Sequence, residues 1–383
     1  ISLVFPNYFC LVRRCSRMFY VNTEDLLPGM YLGRDIHYFD MNIQAMSVLT
    51  RGIHLTEESI KALVNAKVEG AYISHLSNDI KMTQTIDTEL KNQAVDGIQS
   101  LAKGFMGGHI TSEQMDSIND TTINLVETVS ADKDIMVNIL DLKMYDDYTY
   151  HHSLSVAVMS LAVGMEFGFD KNTLNELVTA ALLHDIGKIA IPITIINKPS
   201  RLTPEEFEIV KKHPIAAGVH LRKNNLVSQN TFMGIVGHHE KWNGTGYPNG
   251  LDGKNIHMFA RIMAVADVFD ALTSHRPYRK PAPAHEVLEY IMANAGTHFD
   301  EEIVRAFLKR VAPFPVGSHV RLSNGKRGIV IRNYPEQPLR PQIAIIGEDT
   351  SCDLFKDPQY LNVIVTGIDE LDNISAPPVN SRS

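Results

Sequence analysis

A chain of 383 residues is too long for one ordinary domain, so two or three are expected. Hydrophobic residues make up 44%, enough for a sizeable core. The net charge of −8 argues against a protein that coats nucleic-acid polymers, because phosphate backbones call for a basic surface; a small phosphate-containing substrate, held by local cations and metals, is not excluded.

Cys10, Cys15 and Cys352 are too few and too scattered for a disulfide framework, which points to a reducing, cytoplasmic setting. No apolar run approaches the roughly 20 residues that cross a bilayer, so no membrane span is expected. Residues 1–12 are mostly apolar and Arg13, Arg14 and Arg17 follow them, the reverse of a secretory signal. Met18 opens a stretch that reads as a domain start, so residues 1–17 are expected to be a non-native or disordered extension.

Residues 18–80 read as an N-terminal α+β accessory domain. Pro28-Gly29 marks a turn before a short strand-like run, and Thr56 is a good N-cap for a helix carrying Ile60, Leu63, Val64 and Val68. Gly70 ends that helix, and Ala71-Tyr72-Ile73 reads as a strand. His37, His54 and His75 are scattered and read as surface or packing residues. From 81 to 140 the pattern is helical, with Ile86, Leu90, Ala94, Ile98 and Leu101, then Met115, Ile118, Ile123, Val126 and Val129. This stretch is expected to be a helical connector.

Residues 141–312 carry the chemistry. His152 shares one apolar helix face with Val156, Met159, Val163 and Phe167. His184-Asp185 closes another apolar helix, and Gly187 is expected to end it. Adjacent helical residues point about 100° apart, so both reach one site only at a helix end or where the site wraps around them. Thr203-Pro204-Glu205-Glu206 is a capping box. Its helix is expected to end at His213-Pro214, with proline holding His213 at a corner. His238-His239 ends a short helix, and a glycine-rich loop from Trp242 to Gly250 follows it. Asp267 and Asp270 lie on one side of a later helix, and Arg276 and Arg279 beyond it suit phosphate oxygens. Five histidines and two aspartates, none of the donors a thiolate, suit a cluster of first-row metal ions that activates water to cut a phosphodiester.

His184-Asp185-Ile186-Gly187-Lys188 and His238-His239-Glu240, followed by Gly246-Tyr247-Pro248, resemble the HD-GYP group of the HD phosphohydrolase superfamily. The resemblance runs from about Asp141 to Pro313. It implies a helical catalytic domain that hydrolyses a cyclic dinucleotide, chiefly cyclic di-GMP. It implies metal ligands His152, His184, Asp185, His213, His238, His239 and Asp267, with Asp185 bridging two ions. Asp185 and Lys188 would be catalytic, and Lys188, Tyr247, Asp270, Arg276 and Arg279 would hold substrate. Iron or manganese is the implied metal. Three-metal members carry a glutamate four residues before the first histidine. Tyr148 stands there, with Asp146 and Asp147 out of register, so two divalent ions and the linear product pGpG are expected. The N-terminal unit resembles an accessory domain often found before such catalytic domains.

Residues 313–372 alternate like short strands around Asn324-Gly325, and read as a small β-barrel or sheet that packs on the helical domain. Residues 373–383 read as a disordered tail. The fold class expected is α+β multidomain: an all-α HD-type catalytic domain, a small N-terminal α+β unit and a small C-terminal β extension. The alternatives in function are a 3',3'-cyclic GMP-AMP hydrolase, or a cyclic-dinucleotide-binding signalling receptor. A homodimer or a signalling protein partner is compatible with either. The intact ligand set favours the enzyme, since a receptor has no need of two metals.

Overall fold

The computed structural model describes residues 18–40, 45–51, 53–74, 85–133, 135–138, 148–196, 198, 200–274, 281–346, 348 and 350–368. The expectations for residues 1–17 and 373–383, and for Asp146, Asp147, Arg276 and Arg279, fall outside them. The architecture is α+β, with a helical domain and small sheets towards the two ends of the chain. The chain divides into two compact units. One comprises the N-terminal region to Met82 together with the region from Phe314 onward; the other is the helical domain, Thr83–Lys143 with Asp147–Pro313.

In the N-terminal region, β1 (Met18–Asn22), β2 (Tyr31–Leu32), β3 (Ile36–Asp40) and β4 (Ala45–Leu49) precede α1 (Glu57–Asn65) and β5 (Gly70–Ser74). An antiparallel sheet runs β1-β5-β2, and β3 and β4 pair as a second antiparallel ribbon. Thr56 caps α1 as expected: its Oγ1 accepts from Ser59 N at 3.1 Å, and Ser59 Oγ accepts from Thr56 N at 2.8 Å. Leu63 from this helix joins Val21, Leu26, Leu32, Leu55, Ala71 and Ile73 in a local core.

The helical domain begins with α2 (Thr88–Met106) and α3 (Ser112–Ser130), then the short β6 (Val137–Asn138). Ile86, Leu90, Ala94, Ile98, Leu101, Met115, Ile118, Val126 and Val129 are all buried, whereas Ile123 is 43% exposed. These two helices pack on each other and on the helices that follow, so the stretch read as a connector is part of this compact unit. Next come α4 (Tyr148–Glu166), α5 (Lys171–Leu183), a 3-10 turn at Ile186–Ala190, and the short helices α6 (Ile193–Ile196) and α7 (Pro204–Val210). Then follow α8 (His213–Lys223), α9 (Gln229–Gly237), α10 (Met258–Thr273), α11 (Ala284–Ala293), α12 (Glu301–Arg310) and β7 (Val311–Ala312), which pairs in parallel with β6.

Helix α4 is the central element and packs against α5, α10 and α12. Leu154, Val156, Ala157, Val158, Met159, Leu161, Ala162 and Val163 are all buried. A helix apolar on every side belongs inside a domain, so the single buried face expected for it gives way to burial all round. Phe167 lies beyond its end. Helix α9 packs against α5, α8 and α10, which brings the ends of α5, α8 and α9 together.

In the C-terminal region, β8 (His319–Leu322), β9 (Arg327–Arg332), β10 (Gln342–Ile345), β11 (Ser351–Asp353) and β12 (Val365–Ile368) form one antiparallel sheet in the order β11-β10-β9-β8-β12. Its core contains Phe314, Val320, Val330, Ile343, Cys352 and Leu354. Strand β12 opens at Val365, after a 3-10 turn at Pro358–Tyr360 and a further turn. This sheet falls in the same compact unit as the N-terminal region.

Candidate metal centre

Each donor sits where its helix starts, ends or faces inward. His152 lies in the first turns of α4, and Asp267 lies within α10. His184 is the C-cap of α5, and Asp185 has already left helical geometry at φ −98°, ψ 0°. His238 likewise caps α9, and His239 follows it. The chain leaves the helix at both pairs, which lets two neighbouring side chains reach one place. His213 opens α8 with Pro214 in its first turn, whereas the sequence suggested that it ends a helix. Proline is well tolerated in a first turn, where its missing N–H costs no helical bond.

One device orients three imidazoles. His184 Nδ1 donates to Ala181 O at 2.7 Å, His213 Nδ1 to Val210 O at 2.8 Å, and His238 Nδ1 to Ile235 O at 2.7 Å. Each ring is thus held by the carbonyl three residues earlier, and its Nε2 lone pair faces inward. His152 Nδ1 is held by Asp270 Oδ2 at 2.7 Å instead.

The two aspartates then span the cluster. Asp185 Oδ1 lies 3.2 Å from His213 Nε2 and 3.8 Å from His238 Nε2; its Oδ2 lies 3.4 Å from His184 Nε2 and 3.6 Å from His152 Nε2. Asp267 Oδ1 lies 3.0 Å from His152 Nε2, and its Oδ2 lies 3.8 Å from His239 Nδ1. Two groups of metal-compatible donors result, Asp185 with His213, His238 and His239, and Asp185 with His152 and His184. Asp185 belongs to both.

These residues fit divalent cations. His184 Nε2 and Asp185 Oδ1 are buried and make no hydrogen bond. His213 Nε2 and His238 Nε2 are 3.4 Å apart, and with both Nδ1 atoms donating elsewhere, two lone pairs face each other. A cation between them removes that repulsion. The donors are all nitrogen and oxygen, which suits hard and borderline first-row ions.

The electrostatics favour neutral donors at His238 and His239, whereas a cation at His152 must displace a proton. Burial works against charge on His152, but its bonds to Asp267 and Asp270 outweigh that and raise its pKa to about 9. Burial would also raise Asp185, yet Lys188 and the neighbouring histidines hold its carboxyl well below the usual range. Burial foremost drives His239 down to about 3, with Lys188 and His213 adding to it, and burial among the neighbouring imidazoles pushes His238 well below its ordinary value, so both are neutral donors at pH 7.

Around the cluster, Lys188 Nζ pairs with Asp185 Oδ2 and remains 29% exposed. Tyr247 lays its ring against His239, with centroids 4.7 Å apart and planes 34° apart. Phe207, 44% exposed, meets Tyr247 edge-on, with centroids 6.0 Å apart. Asp270 is buried, and its Oδ2 accepts from His152 Nδ1, so it orients that ring. Sequence reasoning passed over Glu240, which is 2% exposed and binds the following loop; a carboxylate between the histidine pair and a glycine-rich loop was the available signal.

Residues 134–303 match the HD domain family. The chain is 34% identical over 291 residues to a cyclic di-GMP phosphodiesterase of Pseudomonas aeruginosa, covering 76% of this chain and 63% of that one. It is 40% identical over 183 residues to a cyclic di-GMP phosphodiesterase of Thermotoga maritima, covering 46% and 50%. It is 35% identical over 191 residues to a 3'3'-cGAMP-specific phosphodiesterase of Vibrio cholerae, covering 49% and 36%. The chain thus spans less than two thirds of the length of these relatives. A helical domain that gathers the histidines and aspartates at one centre, and that carries the His184-Asp185 pair, is therefore an HD domain, spanning residues 134–303.

Proposed function

We propose that this protein is a metal-dependent phosphodiesterase that hydrolyses a cyclic dinucleotide, with cyclic di-GMP opened to linear pGpG as the main reaction. The observation that carries the reading is that Asp185 turns one oxygen to His213 and His238 and the other to His152 and His184. His152, His184, Asp185, His213, His238, His239 and Asp267 would hold two divalent ions, iron or manganese. Bound ions of this kind supply Lewis-acid activation of water and of phosphate oxygens.

The chain's own groups do the rest. The backbone carbonyls of Ala181, Val210 and Ile235 hold three donor rings in one tautomer before substrate arrives. Lys188, partly exposed beside Asp185, offsets negative charge that builds on the phosphorus centre. Tyr247 lines the pocket beside His239. Arg276 and Arg279 would bind phosphate.

The similarity to a 3'3'-cGAMP-specific phosphodiesterase keeps that substrate as the second reading. Incubation of metal-loaded protein with each cyclic dinucleotide, followed by separation of products, decides between them. Faster turnover of cyclic GMP-AMP would replace the first reading. Nucleotide binding without hydrolysis would make the protein a receptor. Metal analysis of protein purified without added metal should return two ions per chain, and three would overturn the count.

A further inference from the structure

We propose that Glu240 is a positioning residue that straps the Gly246-Tyr247-Pro248 loop to the metal centre and so sets the Tyr247 wall of the substrate pocket. Glu240 follows the donor pair His238-His239 directly, and its own N–H donates to Gly237 O at 2.8 Å. Its side chain turns inward, away from solvent. Oε1 accepts from Asn249 N at 2.8 Å and Oε2 from Leu251 N at 3.0 Å. Both carboxylate oxygens are therefore spent on the far end of the loop. A buried carboxylate costs free energy unless it is paired or hydrogen-bonded, and charge-assisted bonds to backbone N–H groups are the stronger kind.

The near end of the loop is seated on the same few residues. Tyr247 N donates to His239 O at 3.1 Å. At Gly246 a Cβ would fall 2.5 Å from Glu240 Cα and 2.3 Å from Lys241 N, so only glycine lets the chain pass this close. The loop is thus clamped at 246–247 by close approach and at 249–251 by the carboxylate. Tyr247, in the first clamp and two residues before the second, lays its ring against His239, one of the proposed metal ligands. Moving the strap moves the ring.

The part of this proposal that concerns substrate rests on the phosphodiesterase reading; the part that concerns the loop does not. The experiment compares the full chain with Glu240→Gln, which keeps the volume but replaces one acceptor oxygen by a donor. Amide hydrogen exchange at Asn249 and Leu251 should quicken about 10- to 100-fold, as expected when a charge-assisted bond is lost. Metal content per chain should stay at the parent value. KM for the cyclic dinucleotide should rise about tenfold with kcat largely kept, the pattern of lost binding without lost chemistry. In a Tyr247→Ala background, Glu240→Gln should add nothing further to KM. Unchanged exchange at both amides, a loss of metal that parallels the loss of activity, or additive effects of the two substitutions would each overturn the proposal. If the parent hydrolyses no cyclic dinucleotide, the functional reading falls, while the exchange and metal measurements still decide the strap.

Discussion

Asp270 Oδ2 accepts a hydrogen bond from His152 Nδ1 at 2.7 Å, across 118 residues of sequence. The carboxylate sits on the α10 face that also carries Asp267, so one helix provides a proposed ligand and the support for another. Fixing the ring through its outer nitrogen leaves Nε2 as the donor and raises its basicity. Asp270→Ala is expected to weaken metal binding about 10- to 100-fold while the fold is kept. Competition with a calibrated chelator measures this, and parental affinity would remove Asp270 from the centre's support.

Lys188 should matter for chemistry more than for assembly. It pairs with Asp185 but keeps 29% of its side chain exposed. Lys188→Met is expected to lower kcat about 100- to 1000-fold, the usual cost of deleting one donor aimed at developing charge. Metal content should be unaffected. Loss of metal together with loss of rate would instead make the ion pair with Asp185 its main role.

Gly187 follows His184-Asp185, and its sequence position suggests a helix stop. Its packing gives a different reason for the glycine. A Cβ there would fall 2.1 Å from His213 O and 3.0 Å from Ala217 N, both backbone atoms of α8. Gly187→Ala is therefore expected to push α8 away and destabilise the protein by about 1–3 kcal/mol, the usual range for overpacking. Because His213 opens that helix, metal affinity should fall with Tm. A variant with parental Tm would show that α8 yields freely.

His319 provides a pH dependence away from the metal centre. Burial lowers its pKa from 6.5 to about 4. Between those values the unfolded chain binds a proton that the folded chain refuses, so stability is lost as pH falls through the window. From pH 7 to pH 5 this group alone should cost about 2 kcal/mol, at about 1.4 kcal/mol per unit below 6.5. Denaturant titration at both values should show that slope, and His319→Leu should flatten it. An equal slope in the variant would assign the pH dependence to other groups.

What could be read along the chain was whatever depends on near neighbours. Capping at Thr56 and Thr203 follows from a side chain meeting an N–H three residues on, and both caps are formed. The buried positions of α2 and α3 follow from helical period, apart from Ile123. The seven proposed donors were legible by type and motif, and five histidines with two aspartates announce a metal before any fold is known. Tertiary structure alone decided how they pair. It set one oxygen of Asp185 against His213 and His238 and the other against His152 and His184. It turned Asp270 towards His152, placed Gly187 under α8 and gave Glu240 its strap. The physical reason is range. Capping and periodicity act within a turn or two of helix, whereas convergence of side chains a hundred residues apart depends on how whole helices pack, which no local spacing records.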